Sequence, residues 1–195
     1  MTSKFRIIVI TQEEFAENEA ELCTFFLRNG VDALHIRKPH STAENVENLL
    51  KKIPADCHSH IVLHDHFGLA AQYHVGGIHL NNRNPHAPAN YSGTISYSCH
   101  SLTEIAENKQ KDYCFLSPIY DSISKVGYKS NFEKKELHEA KQSGILTDKC
   151  IALGGVTPKH IPELIEMGFG GAAFLGYAWR NPELFIKEIQ ICCNL

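Results

Sequence analysis

Several side chains in this sequence are of the types that grip an anion: Arg37, Ser98, Ser122, Ser124 and Lys125, together with the glycines at 154, 155 and 176. Arginine and lysine supply fixed positive charge, serine hydroxyls donate hydrogen bonds, and glycine N–H groups at a helix start can cradle a phosphate. Asp65 adds a carboxylate of the kind that binds a hard cation such as Mg²⁺ between phosphate oxygens. His35, His79 and His100 add imidazoles beside them. As a set they describe a site for a phosphorylated, even diphosphorylated, small molecule. Each also has a plainer reading: Arg37 as a surface ion pair, Asp65 as a helix N-cap, Gly154-Gly155 as a tight turn.

A metal reading competes for the histidines. The chain holds twelve His and seven Cys, and Cys57-His58-Ser59-His60 is followed closely by His64-Asp65-His66. The apolar residues between them read as a strand, which at about 3.3 Å per residue puts His60 and His66 roughly 20 Å apart. The two groups therefore fall at opposite ends of a strand and cannot share an ion with ligands near ~2 Å. The cysteines are odd in number and scattered without a Cys-x-x-Cys pair, which fits reduced core thiols better than a disulfide framework.

Something must bring the anion-binding set together, and the hydrophobic pattern supplies it. Phe5–Ile10 is a β-branched apolar run, read as a buried strand, and Thr11-Gln-Glu-Glu14 reads as the capping box of a helix bearing Phe15, Leu22, Cys23 and Phe26. Ala33–Arg37 reads as a second strand. Ser41-Thr-Ala-Glu44 caps a helix with Val46, Leu49, Leu50 and Ile53 on one face, stopped by Pro54. Further strands are expected at 60–64, 77–80, 94–98, 113–116, 150–153 and 171–175. Helices are expected at 68–73, from Leu102, at 133–142, from Thr157-Pro158 and from Asn181-Pro182.

Eight strands in this alternation predict a single-domain (β/α)₈ barrel over residues 1–195, in preference to an open doubly wound sheet. No Gly-x-Gly-x-x-Gly follows the first strand, which removes the dinucleotide-binding version of the open sheet. In the barrel, every member of the anion-binding set falls at a C-terminal strand end or in the loop after it, where such folds carry their chemistry. The 195 residues leave about 24 for each unit, so loops must be short. The formal net charge of -3 argues against a sequence-independent grip on nucleic acid. No apolar run is long enough to span a bilayer and Met1–Arg6 lacks a signal-peptide core, so a cytoplasmic protein is expected; a homo-oligomer is compatible with the sequence.

Along nearly its whole length the chain resembles the thiamin phosphate synthase/TenI superfamily. His35-Ile-Arg37 is similar to its Gln-x-Arg-x-Lys strand, Leu63-His-Asp65 to its Asn-Asp segment, and Gly77-Ile-His79-Leu80 to its Gly-x-His-Leu strand. Ser98-Cys-His100-Ser101 resembles Ser-x-His-Ser/Thr, Ser122-Ile-Ser124-Lys125 resembles Thr-x-Thr-Lys, and Ala152-Leu-Gly154-Gly155-Val156-Thr157-Pro158 resembles Ala-x-Gly-Gly-Ile-Thr-Pro. The resemblance implies an enzyme that couples hydroxymethylpyrimidine diphosphate with thiazole phosphate, giving thiamin phosphate and pyrophosphate. It further implies that Arg37 and Lys125 hold the diphosphate, that Asp65 binds Mg²⁺ with Asn84 in the place of a second carboxylate, and that Ser98 with His79 serves the pyrimidine. Ser122, Ser124, Gly155 and Gly176 are implied to hold the thiazole phosphate.

The sequence departs from that pattern at identifiable places. Pro39 stands where the family carries a Lys, His35 where it carries Gln, Asn84 where it carries an acidic residue, and Gly176 where it carries Ser. Lys38, next to Pro39, points to the other face of an extended strand. Pro118 occupies the position of the histidine through which the TenI branch isomerises a thiazole phosphate. A tautomerase and a non-catalytic barrel that binds the same phosphorylated precursors are the alternatives these departures raise.

Overall fold

The computed structural model describes residues 4–121 and 131–193. Eight strands, β1 (Arg6–Ile10), β2 (Ala33–Ile36), β3 (Ile61–Leu63), β4 (Gly77–Leu80), β5 (Thr94–Cys99), β6 (Tyr113–Leu116), β7 (Cys150–Ala152) and β8 (Gly171–Phe174), pair in parallel in chain order. β8 returns to β1 through Arg6↔Gly171 and its neighbours and closes the barrel. Beyond that seam, the Trp179 indole N–H donates to the Ile10 carbonyl at 2.7 Å. Among the described residues no helix is long and apolar enough to cross a membrane.

Period-two alternation divides each strand between two cores. On β1, Ile8 and Ile10 point into the barrel to meet Phe115, Ile151 and Ala173, while Ile7 and Val9 pack under the helices with Phe26, Leu34 and Leu50. The interior is apolar on the β1, β7 and β8 side. On the β2 to β5 side it is polar, with His35, His79 and Ser96 fully buried. The outer layer contains α1 (Glu19–Arg28), α2 (Ala43–Lys52), α3 (Gly68–Gln72), α4 (Leu102–Glu107), α5 (Lys134–Gln142), α6 (Ile161–Met167), α7 (Gly176–Arg180) and α8 (Pro182–Cys193). Thr42 caps α2 by accepting from the Asn45 amide at 3.2 Å, and Ser101 caps α4 through the Glu104 amide. Five of the seven cysteines are buried and all are free thiols.

The expected helix start at Thr11–Glu14 is corrected by the structure: α1 begins at Glu19, and the residues before it form a loop over the barrel mouth. Lys38 explains the difference. Its ammonium is 0 % exposed and donates to the carbonyls of Gln12 and Glu14 at 2.8 Å each. It also reaches both Glu19 carboxylate oxygens, at 2.7 and 2.9 Å, and lies over the Phe15 ring. Backbone carbonyls that coordinate a buried cation from one side cannot also run in a helix. Thr11, the expected N-cap, instead accepts from the Arg37 amide at 2.9 Å. The remaining elements start and stop within about two residues of expectation, apart from short 3₁₀ turns at Ala55–His60 and Pro158–His160 and the extra helix α7.

Removing one partner of a fully buried ion pair strands the other charge. K38A is therefore expected to lower unfolding free energy by about 3–5 kcal/mol in urea titrations. A loss below ~1 kcal/mol would show that the β1–α1 loop does not depend on this ammonium.

Candidate active site

The C-terminal ends of the strands enclose a pocket of about 300 Å³ lined by Arg37, His64, Arg83, Ser98 and His100, with Ile10, Phe115, Leu153 and Leu175 as its apolar walls and floor. Arg37 follows β2 directly and is held in a salt bridge by Glu13, from the loop that Lys38 organises, at 2.6 Å. Ser98 comes from β5. Its hydroxyl is 2.7 Å from His79 Nε2, and His79 Nδ1 is 2.7 Å from Ser96 Oγ. Ser96 Oγ also lies 3.3 Å from the Ile78 carbonyl. A neutral imidazole has one donor and one acceptor nitrogen, so His79 couples the two serine hydroxyls, donating to one and accepting from the other.

Beneath the pocket lie the buried imidazoles. His35 Nδ1 is 2.8 Å from His64 Nε2, and His35 Nε2 is 2.7 Å from the Tyr113 hydroxyl. Phe115 packs against both His35 and His79 at ring-centroid distances of 4.8 and 4.6 Å. Burial holds His35 and His64 well below the usual imidazole range and lowers His79 to about 3. The rings are neutral at physiological pH. His35, His64 and His79 bring ring nitrogens within 4.8 Å of one another. His64 and His79, however, are stacked at 4.1 Å with planes only 24° apart. Their in-plane lone pairs run side by side and do not converge on an ion at ~2 Å.

Asp65 follows β3. Its Oδ1 accepts from Asn84 Nδ2 at 2.9 Å and from the Arg83 guanidinium at 3.3 Å, while Oδ2 is buried with no hydrogen-bond partner among the described residues. Asn84 Nδ2 also reaches the His64 carbonyl at 3.1 Å. Two acceptors on one side of the amide require the nitrogen there, so Asn84 orients Asp65 by donation, which corrects its expected place as a cation ligand.

Gly154 and Gly155 follow β7 with φ of +92° and +64°, a region L side chains rarely adopt. A Cβ at Gly155 would lie 2.2 Å from the Asp121 carbonyl oxygen, so the β7 turn packs directly on the chain leaving β6. Gly176 opens α7 after β8. Two expected substrate contacts move: His35 and His79 are 0 % exposed, with both ring nitrogens taken by protein groups, and so lie below the pocket. Ser122, Ser124 and Lys125 fall outside the described residues. Ser96, Tyr113 and Arg83 were not expected in or under the site. Period-two reading back from Ser98 reaches Ser96, whereas Tyr113 and Arg83 carry no comparable local signal.

A closed parallel barrel with cationic and hydroxyl groups gathered at the C-terminal strand ends defines a (β/α)₈ protein with its polar pocket at that end. The comparisons make this specific. The family model described as Thiamine monophosphate synthase matches residues 7–176, and the chain belongs to that family. It is 36% identical to thiamine phosphate pyrophosphorylase from Bacteroides thetaiotaomicron, whose crystal structure superposes with a TM-score of 0.88 over 98% of both chains. The thiamine-phosphate synthase of Shouchella clausii is 27% identical over 176 residues, 84% of this chain and 83% of its own length. That of Salinibacter ruber is 26% identical over 193 residues, 91% of this chain and 84% of its own length.

The imidazoles give the fold an acid limit. An unfolded His takes up a proton near pH ~6.5, whereas folded His79 resists until about 3, so between those values the unfolded state binds more protons. Stability is complete above the unfolded value and is lost as pH falls. His79 alone accounts for about 2 kcal/mol by pH ~5. Urea unfolding at pH 7.5 and 5.0 is expected to show this decline, with a shallower one for H79Q measured from its own pH 7.5 value; equal declines would reject the assignment.

Proposed function

We propose that this barrel joins an aminopyrimidine diphosphate to a thiazole phosphate, forming thiamin phosphate and releasing pyrophosphate. Membership of the family makes the chain a thiamin phosphate synthase-type transferase. The observation that carries the residue roles is a single pocket holding Arg37 and Ser98, flanked by a carboxylate with one orphaned buried oxygen.

Breaking the carbon–oxygen bond leaves a pyrimidine-methyl cation and a highly charged leaving group, so catalysis requires positive charge placed where negative charge accumulates. Arg37, positioned by Glu13, faces the departing diphosphate, and Lys125 is assigned to the same task by its place in the Ser122-Ile-Ser124-Lys125 segment. Ser98, held against His79, is placed to accept from the exocyclic amino group of the pyrimidine. That N–H grows more acidic as the ring becomes cationic, so the hydrogen bond strengthens in the transition state. The apolar surfaces of Ile10, Phe115 and Leu153 keep water from capturing the cation before the thiazole nitrogen does. Gly155 and Gly176 offer backbone N–H groups, and Ser122 and Ser124 hydroxyls, for the thiazole phosphate; His100 lines the pocket between the two substrates.

The orphaned Asp65 Oδ2 fits a hard cation, since a buried carboxylate oxygen without a donor is costly unless something positive completes it. Asp65 would hold Mg²⁺, with Asn84 orienting it, and the ion would neutralise the leaving pyrophosphate.

The decisive experiment gives the purified protein aminopyrimidine diphosphate, thiazole phosphate and Mg²⁺, and follows pyrophosphate and thiamin phosphate together. Equal release of both is expected; thiazole phosphate binding without turnover would sink the synthase reading. D65A and K125A are each expected to lower kcat/KM at least ~100-fold. S98A is expected to raise KM for the pyrimidine substrate several-fold while leaving KM for thiazole phosphate unchanged, and near-wild-type rates in all three would reject the assigned roles.

A further inference from the structure

We infer that Arg83, in the loop after β4, is a diphosphate-binding residue, supplying the cation that the Arg37-Lys38-Pro39 run does not; the inference rests on the reaction proposed above. Of that run, Arg37 alone lines the pocket. Lys38 is consumed by Glu19 and two backbone carbonyls on the far side of the strand, and Pro39 carries no charge. A diphosphate leaving group carries several negative charges, more than Arg37 and the Lys125 assigned above neutralise, and Arg83 is the other guanidinium among the described residues lining the pocket.

The loop around Arg83 is built to hold it there. Asn81 and Asn84 exchange backbone hydrogen bonds at 3.2 and 3.0 Å. The buried Asn81 side chain accepts from the amides of Arg83 and Asn84 at 3.0 and 3.2 Å. Its Nδ2 donates to the His64 carbonyl at 3.3 Å, tying the turn to β3. The backbone of Arg83 is therefore fixed over the pocket while its side chain remains 45% exposed. Its contact with Asp65 Oδ1, at 3.3 Å, is longer than the ~2.7–2.9 Å of a strong charge-assisted pair, and that oxygen is shared with Asn84. A guanidinium carries five N–H donors in a planar fork, suited to two phosphate oxygens at once. Asp65 thus serves as a counter-charge that presents Arg83 in the absence of substrate, and its other oxygen is left for a cation.

The test uses inorganic pyrophosphate as probe, titrated calorimetrically into wild type, R83A, R83Q and R83K, first without divalent metal and then with Mg²⁺. Without metal, R83A and R83Q are expected to weaken pyrophosphate binding about 10- to 100-fold, with R83K recovering part of the loss. In turnover, KM for the aminopyrimidine diphosphate rises in parallel, while KM for thiazole phosphate stays within about twofold. Arg83 is exposed enough for the variants to keep the fold, which near-ultraviolet circular dichroism checks. No measurable metal-free pyrophosphate binding by the wild type overturns the inference. So does unchanged metal-free affinity in R83A, even with Mg²⁺-dependent activity lost, because that pattern marks a mere support for Asp65. If wild type binds pyrophosphate through Arg83 but forms no thiamin phosphate, the synthase reading fails and the anion role stands. If wild type turns over and R83A matches it, the reverse holds.

Discussion

The interior of this barrel contains neutral imidazoles packed against an aromatic ring, and much else follows from keeping them neutral. A buried His costs little only when its ring nitrogens are hydrogen bonded and it carries no charge. His35 and His79 meet that condition through Tyr113, His64, Ser96 and Ser98. Ser98 reaches the pocket already hydrogen bonded to His79, whose other ring nitrogen is held by Ser96, so its presentation to a substrate is set by the side chains beneath it. The polarity of the pocket floor is inherited from the packing below it.

The same separation of roles runs along Arg37-Lys38-Pro39. Three consecutive residues of an extended chain face alternately inward and outward. Arg37 turns to the pocket and takes Glu13, while Lys38 turns away and gathers the β1–α1 loop that carries Glu13. One lysine thereby sets the position of the carboxylate that aims its neighbour. A surface salt bridge of the Arg37–Glu13 kind contributes little to stability, but here it aligns a guanidinium and leaves stability to the buried Lys38–Glu19 pair.

What was legible in the sequence was whatever depends on local periodicity. The strands announce themselves as short β-branched runs, Ser41-Thr-Ala-Glu44 announces a cap that the structure places at Thr42, and Gly154-Gly155 announces a tight turn with positive φ at both residues. The placement of Arg37, Ser98 and Asp65 at one end of one barrel followed from strand direction. The rest depended on contacts across the barrel. Thr11–Glu14 reads as a capping box, yet Lys38, 24 residues beyond Glu14, claims those carbonyls. His35 reads as a substrate contact until Tyr113, 78 residues away, takes its second nitrogen. Asn84 reads as a weak cation ligand until the His64 carbonyl fixes which way its amide faces. Side-chain pairing over such separations leaves no trace in a window of neighbouring residues.

The seam between β8 and β1 bears on how the chain is made. β1 is the first strand of the barrel to be made, and one of its two neighbours is Gly171–Phe174, the last of the eight. The Trp179 indole that caps the seam reaches Ile10 across 169 residues. Until β8 is in place, β1 has an open edge and the barrel around the interior imidazoles is incomplete. Contacts so remote in sequence form slowly, and an unfinished sheet edge invites pairing with other chains. Closure of the ring is therefore the step that removes the open edge of β1 and completes the enclosure of the histidines.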